Sequence, residues 1–346
     1  MQKKIPTLIE SFQNRTEQYK ERVPHLADLC ELIVSEPGLA APVAEHGTWD
    51  KPNRLFSAVE YLLAKNPGHP LSTWDGDVRG NFRDFVARYE KELSLICASR
   101  KARANDPLVA AMLRPGIGFA QHWAGDRELA LVELGAAAGL TLMLDRFGYR
   151  YGEAGLDTGR PLVLDIEVRG ESVSYLGEPL RIGQRIGIDL DPIGIADADE
   201  IAWLRACSHD LPGQRTRIDQ ALAEAEEASP ELVAGDFMAE LPGVLAGIPD
   251  CRVPVVYEAN VMCCLEQRAE LPGLLAAAGR DLVWVSKDMP KYVLGLFTGD
   301  DLGEFAEAHG LVTAVTFRAG ELEQVQVLAE VDGFGRWMRW TPTVVR

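Results

Sequence analysis

Apolar positions change their spacing near residue 125. Before it they recur every three or four residues, as in helices that bury one face. Phe12, Tyr19, Val23, Leu26, Leu29 and Ile33 follow Thr7 and Glu10, which have capping-box spacing, and Pro37-Gly38 ends the stripe. Asn53 opens a second stripe of Leu55, Phe56, Val59, Leu62 and Leu63, which stops before Pro67-Gly68. Asn81 opens a third with Phe82, Phe85, Val86, Tyr89, Leu93 and Ile96. Asp106-Pro107 suits the N-cap and first position of a fourth helix, interrupted at Pro115-Gly116.

After residue 125, short apolar runs alternate with helical stretches, the pattern of βαβ units around a mainly parallel sheet. The runs predict strands over 129–134, 185–190, 231–234, 253–257, 282–286, 311–317 and 324–331. Helices are expected over 139–147, 199–206, 215–228, 241–247, 267–278 and 303–309. The last two strands flank Gly320 closely enough to form an edge hairpin. The expected organisation is therefore a helical N-terminal domain over 1–125 and an α/β domain over 126–346.

Composition narrows the function classes. The 346 residues carry a net charge of −17, the sum of +1 over residues 1–125 and −18 beyond them. So acidic a surface repels phosphate backbones and disfavours a nucleic-acid partner. No apolar run reaches the roughly 18–20 residues that span a bilayer, so no membrane partner is expected. Met1-Gln-Lys-Lys-Ile-Pro6 lacks the apolar core of a secretory signal. The six cysteines show no disulfide framework, which points to a reducing cytoplasm. Cys207-Ser208-His209 and Cys263-Cys264 lack zinc spacing, so no metal is expected. The adjacent pair is expected on a helix, in the core. Composition leaves the oligomeric state open.

The chemistry concentrates in Leu129–Leu140, an apolar run followed by an acidic residue and a turn of small residues. Small residues let a ligand approach the backbone. The helix expected behind the turn would aim its first N–H groups at that ligand. A dinucleotide fingerprint starting at Gly135 fails at Leu140, where a small residue is needed for close helix–strand packing. The spacing acidic-x-G-x-G-x-G fits Glu133, Gly135, Ala137 and Gly139 with one glycine replaced by alanine.

That motif, with the strand order, resembles the class I S-adenosylmethionine-dependent methyltransferases, over roughly residues 126–346. The resemblance implies a seven-stranded, mainly parallel, Rossmann-like sheet ending in a hairpin. Arg185-Ile-Gly-Ile-Asp-Leu-Asp-Pro192 is similar to the second-strand motif, whose acidic residue accepts hydrogen bonds from the ribose hydroxyls; Asp189 matches it. Leu232-Val-Ala-Gly-Asp-Phe237 is similar to the third-strand motif, with Asp236 toward the adenine amino group and Phe237 against the ring. Val253–Asn260 is similar to the fourth strand, whose end faces the methyl group. The expected cofactor is S-adenosylmethionine and the expected partner a small-molecule methyl acceptor. Glu258 is the candidate base or acceptor clamp, and Asn260 the candidate orienter. The whole chain also resembles a bacterial family of unknown function that joins a helical region to such a domain. Its pattern appears in Asp145–Gly152 and Trp203–Cys207 as well as the motifs above.

Glu133 and Asp189 lie 56 positions apart, whereas a βαβ unit takes about 30. An insertion over about 150–184 is therefore expected, with 162–168 and 172–176 forming a β-hairpin. If 162–168 were itself the second strand, Asp165 would replace Asp189. Tyr149 and Tyr151 are candidates to line the cleft, and the helical half to cover it. His122 is expected to be packed; Lys287-Asp288 is a candidate to reach the cleft, a surface ion pair being the commoner role for such a pair. A non-catalytic nucleotide-binding protein is the alternative function, and a nicotinamide oxidoreductase the third.

Overall fold

The computed structural model describes residues 7–20, 23–46, 50–103, 105–208, 213–333 and 335–346; His209 and the first six residues lie outside them. Among the described residues, six α-helices precede the first strand: α1 (Leu8–Tyr19), α2 (Pro24–Ser35), α3 (Lys51–Lys65), α4 (Val78–Arg88), α5 (Glu90–Ser99) and α6 (Val109–Ala124). Thr7 makes the expected capping box, its Oγ1 accepting from the Glu10 N–H and its own N–H donating to Glu10 Oε2. The first stripe is two helices, because Pro24 begins a new one. The third is also two, divided at Tyr89. Asn53 lies inside α3, where its Oδ1 accepts from the Tyr19 hydroxyl. Pro115 does not end α6, which runs on to Ala124.

The strands are β1 (Glu128–Leu134), β2 (Gly148–Tyr151), β3 (Ala154–Leu156), β4 (Val163–Gly170), β5 (Ile182–Asp189), β6 (Glu231–Ala234), β7 (Arg252–Ala259), β8 (Leu282–Asp288), β9 (Gly310–Arg318), β10 (Glu321–Val331) and β11 (Trp337–Val344). All seven expected strands form, but among the described residues the sheet has eleven, in the order β3-β2-β4-β11-β10-β9-β8-β7-β1-β5-β6. It is largely parallel and mixed: β6, β5, β1, β7 and β8 run together, whereas β9 reverses against β8 and β10 against β9. Ala319 and Gly320, both at positive φ, make the β9–β10 turn. The extra strands are β2, β3, β4 and β11. Residues 172–176 form no strand, and β4 pairs with β2 and β11 instead. Alternation along 163–168 is a sound strand signal, but it does not say which partner satisfies the strand's edges.

The remaining helices are α7 (Ala198–Ala206), α8 (Gln214–Ala228), α9 (Phe237–Gly247), α10 (Leu271–Ala277), α11 (Pro290–Val293) and α12 (Gly295–Thr298). The helix expected over 139–147 is a single 3₁₀ turn, Leu140–Met143, and that over 303–309 is reduced to Gly303–Phe305.

The chain divides into two compact units, Met1–Asp106 with Ala196–Thr216, and Pro107–Ile195 with Arg217–Arg346. The boundary falls near 106 rather than 125 because α6 packs on β8 and β9; a Cβ at Gly116 would meet Val285 Cγ1 at 2.7 Å. In the helical unit, Phe12, Leu29, Phe56, Phe82 and Trp203 share one core. In the other unit one sheet face buries Val132, Leu134, Ile186, Val256, Trp284 and Val315.

Candidate functional site

The carboxyl ends of β1, β5, β6, β7 and β8 lie side by side, so the topology gathers the motifs at one rim. Gly135 (φ 71°), Ala137 (φ 49°) and Gly139 (φ 66°) alternate in the left-handed region, which costs a residue with a Cβ about 1–2 kcal/mol. This zigzag prevents a helix from starting at 139. The N–H groups of the turn are used inside the protein. Gly135 and Ala136 donate to Ile188 O, Gly139 donates to Ala136 O, and Ala137 donates to Asp189 Oδ2 at 2.9 Å. The Ala137 carbonyl accepts from Ile193 N–H at 3.0 Å. Side chains close in as well: a Cβ at Gly135 would meet Val261 Cγ2 at 2.8 Å, and one at Gly139 would meet Leu142 and Leu232 at 3.0 and 3.1 Å. Of the five turn residues only Gly135 is exposed.

Glu133 points into the protein. Its Oε1 accepts from the Thr141 hydroxyl and its Oε2 from the Tyr257 hydroxyl at 3.4 Å. Burial pushes its carboxyl up to about 8, against the pull of these two hydroxyls. Asp189 closes β5, in register beside β1. Its two oxygens accept from the N–H groups of Ala137 and Asp191, each at 2.9 Å. Asp165 lies on β4, several strands away, and pairs with Arg150 at 3.9 Å. Asp236 caps α9 through the Met238 N–H at 2.9 Å and is exposed. Phe237 is half-buried against the sheet core. Between Asp189 and Asp191, Leu190 is 73% exposed.

The β7–β8 side differs from expectation. Glu258 is fully buried; Ser286 Oγ donates to its Oε1 and Val261 N–H to its Oε2 at 2.9 Å. Burial, with the Asp288 charge nearby, pushes this carboxyl up to about 8. Through the Val261 N–H it holds the turn after β7. Asn260 adopts φ 59° and is exposed, its Oδ1 accepting from Lys287 Nζ at 2.9 Å. Lys287 and Asp288 are buried rather than a surface pair. Lys287 Nζ also donates to Gly333 O at 3.3 Å, and burial lowers its pKa. Asp288 accepts from the N–H groups of Cys263 and Met289.

Tyr149 and Tyr151 are buried, donating to the carbonyls of Leu144 and Ala111. His122 is exposed beside Glu178. Cys263 and Cys264 lie in a turn, not on a helix. Sequence reasoning missed Thr141, Tyr257 and Ser286, which anchor the two buried glutamates. Tyr257 was legible: it precedes Glu258 on one strand, so it must face the opposite side, toward Glu133.

Residues 10–340 match a family described as "Uncharacterized protein conserved in bacteria (DUF2332)". No curated protein matches the chain.

Proposed function

The chain belongs to this family conserved in bacteria, and we propose that its rim holds the adenosyl moiety of S-adenosylmethionine for methyl transfer to a small molecule. The supporting observation is the placement of Asp189 and Asp236 at the ends of two paired parallel strands, beside exposed Leu190. Carboxylates are acceptor-only groups, suited to vicinal ribose hydroxyls and an exocyclic amine. Leu190 and Phe237 supply apolar surface for a purine face.

The donor set fits an adenosyl ligand better than a dinucleotide. A pyrophosphate wants backbone N–H groups at a helix start, and here those of Gly135, Ala136, Ala137 and Gly139 are already engaged. Once bound, the cofactor would supply an activated methyl group on sulfur. This chain's share is then orientation. With Glu258 buried, the acceptor must be acidic enough to need no side-chain base from that position, and Asn260 is the polar group placed to orient it.

A second reading, ligand binding without catalysis, is favoured by that same burial of Glu258. Titration calorimetry with S-adenosylmethionine, S-adenosylhomocysteine and NAD tests the site. Binding of NAD alone, or of none of the three by folded protein, removes the proposal. Labelled-methyl turnover with a pool of small metabolites divides enzyme from binder.

A further inference from the structure

Neighbouring side chains on a strand point to opposite faces, so adjacent cysteines ordinarily cannot act together. After β7 the chain does otherwise. Cys264 N–H donates to Val261 O at 3.0 Å and Leu265 N–H to Met262 O at 3.3 Å, and this turn brings the two Sγ atoms of Cys263 and Cys264 to 3.6 Å. Cys264 is exposed and Cys263 half-buried. Cys263 is anchored, its N–H donating to Asp288 Oδ2 at 3.0 Å and its Sγ to Asn260 O at 3.1 Å. The other cysteines do not compete: Cys30, Cys97 and Cys207 are buried, and exposed Cys251 sits at the opposite end of β7.

We propose that Cys263 and Cys264 form a dithiol site for one trivalent thiophilic atom, of the organic arsenoxide class, bound through both sulfurs. Among the described residues no group of three His, Cys, Asp or Glu is placed to hold a metal ion, so the protein offers two ligands here. An aryl-substituted trivalent arsenic needs two, its third bond being to carbon. Both S–H bonds and the arsenic–oxygen bond break, two arsenic–sulfur bonds form, and the thiol protons leave with that oxygen as water. Arsenic stays trivalent and no oxidant is consumed. The hydrogen bond with Cys264, burial, and nearby Asp288 and Glu258 raise the Cys263 pKa. A thiol kept protonated reacts poorly with disulfides and peroxides, whereas this condensation carries the proton away. The second sulfur bond is intramolecular, and its high effective concentration holds the adduct. The inference is independent of the adenosyl reading.

The test treats the full-length native protein with phenylarsine oxide and reads intact mass. One phenylarsenic group per chain is expected, removed by 2,3-dimercaptopropanol and retained against glutathione. Cys263→Ser and Cys264→Ser should each weaken retention on the order of a hundredfold, with unchanged melting curves, whereas Cys251→Ser keeps the group. Peptide mapping of the labelled wild type, which needs no variant, must place the bridge on one peptide containing both residues. An unlabelled native chain, a label held against glutathione as firmly in either single variant as in the wild type, or a bridge mapped elsewhere overturns the proposal.

Discussion

The Ala137 N–H and Asp189 Oδ2 meet at 2.9 Å, so the bend after β1 is tied to the end of β5 by a charged acceptor. Asp189 is therefore part of the fold before any ligand arrives. Its removal leaves the N–H groups of Ala137 and Asp191 without the carboxylate that accepts from them.

Asp189→Ala should lower stability by about 1–3 kcal/mol, the cost of stranding polar groups. A urea-unfolding midpoint shift with unchanged slope checks this. Lost ligand binding in this variant is meaningful only after that shift has been measured.

Asp236 separates the two effects. Asp236→Ala should cost about 1 kcal/mol through the lost α9 cap, whereas Asp236→Ser keeps a cap and loses much less. If the carboxylate meets an adenine amine, both variants should weaken S-adenosylhomocysteine binding about tenfold, the equivalent of one hydrogen bond. Calorimetry beside thermal melting reads both quantities.

Glu133 and Glu258 make stability fall as pH rises. Each carboxyl is pushed from 4.5 to about 8 in the folded chain, so the native state keeps protons that the unfolded state releases. Their stabilising effect is full below about pH 4.5 and is lost as pH climbs toward 8. Glu258→Gln removes one such group in neutral, isosteric form. Measured by denaturation across this range, the variant should gain on the wild type from pH 5 to 8; parallel curves would contradict it.

Gly187 has no room for a methyl group, because a Cβ there would meet Ala136 Cβ at 2.6 Å and Leu232 Cδ2 at 2.8 Å. Gly187→Ala should cost about 1–3 kcal/mol by overpacking. Gly135→Ala adds positive-φ strain to its contact with Val261. Val261→Ala should recover part of that second loss, read as non-additivity in a double-mutant cycle.

The strands around β1 were legible because their apolar runs are short, β-branched and bounded by turns. The bend after β1 was legible as a bend, but its outcome was not. Three alternating left-handed residues replace the helix that Gly139–Phe147 suggested. Burial was the harder quantity. Glu258 and Lys287 look like rim chemistry in a linear chain, yet Ser286, Asn260 and the Gly333 carbonyl, up to 46 positions away, satisfy them inside. The cysteine pair was misplaced for a local reason, since a tight turn orients neighbours in ways that neither helical nor strand periodicity describes. β11 was missed because Pro342 and the charges around Trp337–Trp340 dilute its alternation.

β11 pairs in parallel with β4 and antiparallel with β10. It is the splice between the ribbon of β2, β3 and β4 and the rest of the sheet. During synthesis that ribbon emerges from the ribosome long before its partner does. Its open edge must wait, unpaired or chaperoned, until residues 337–344 arrive. Truncation near 336 would thus expose β4 and β10 together, turning one sheet into two sticky fragments.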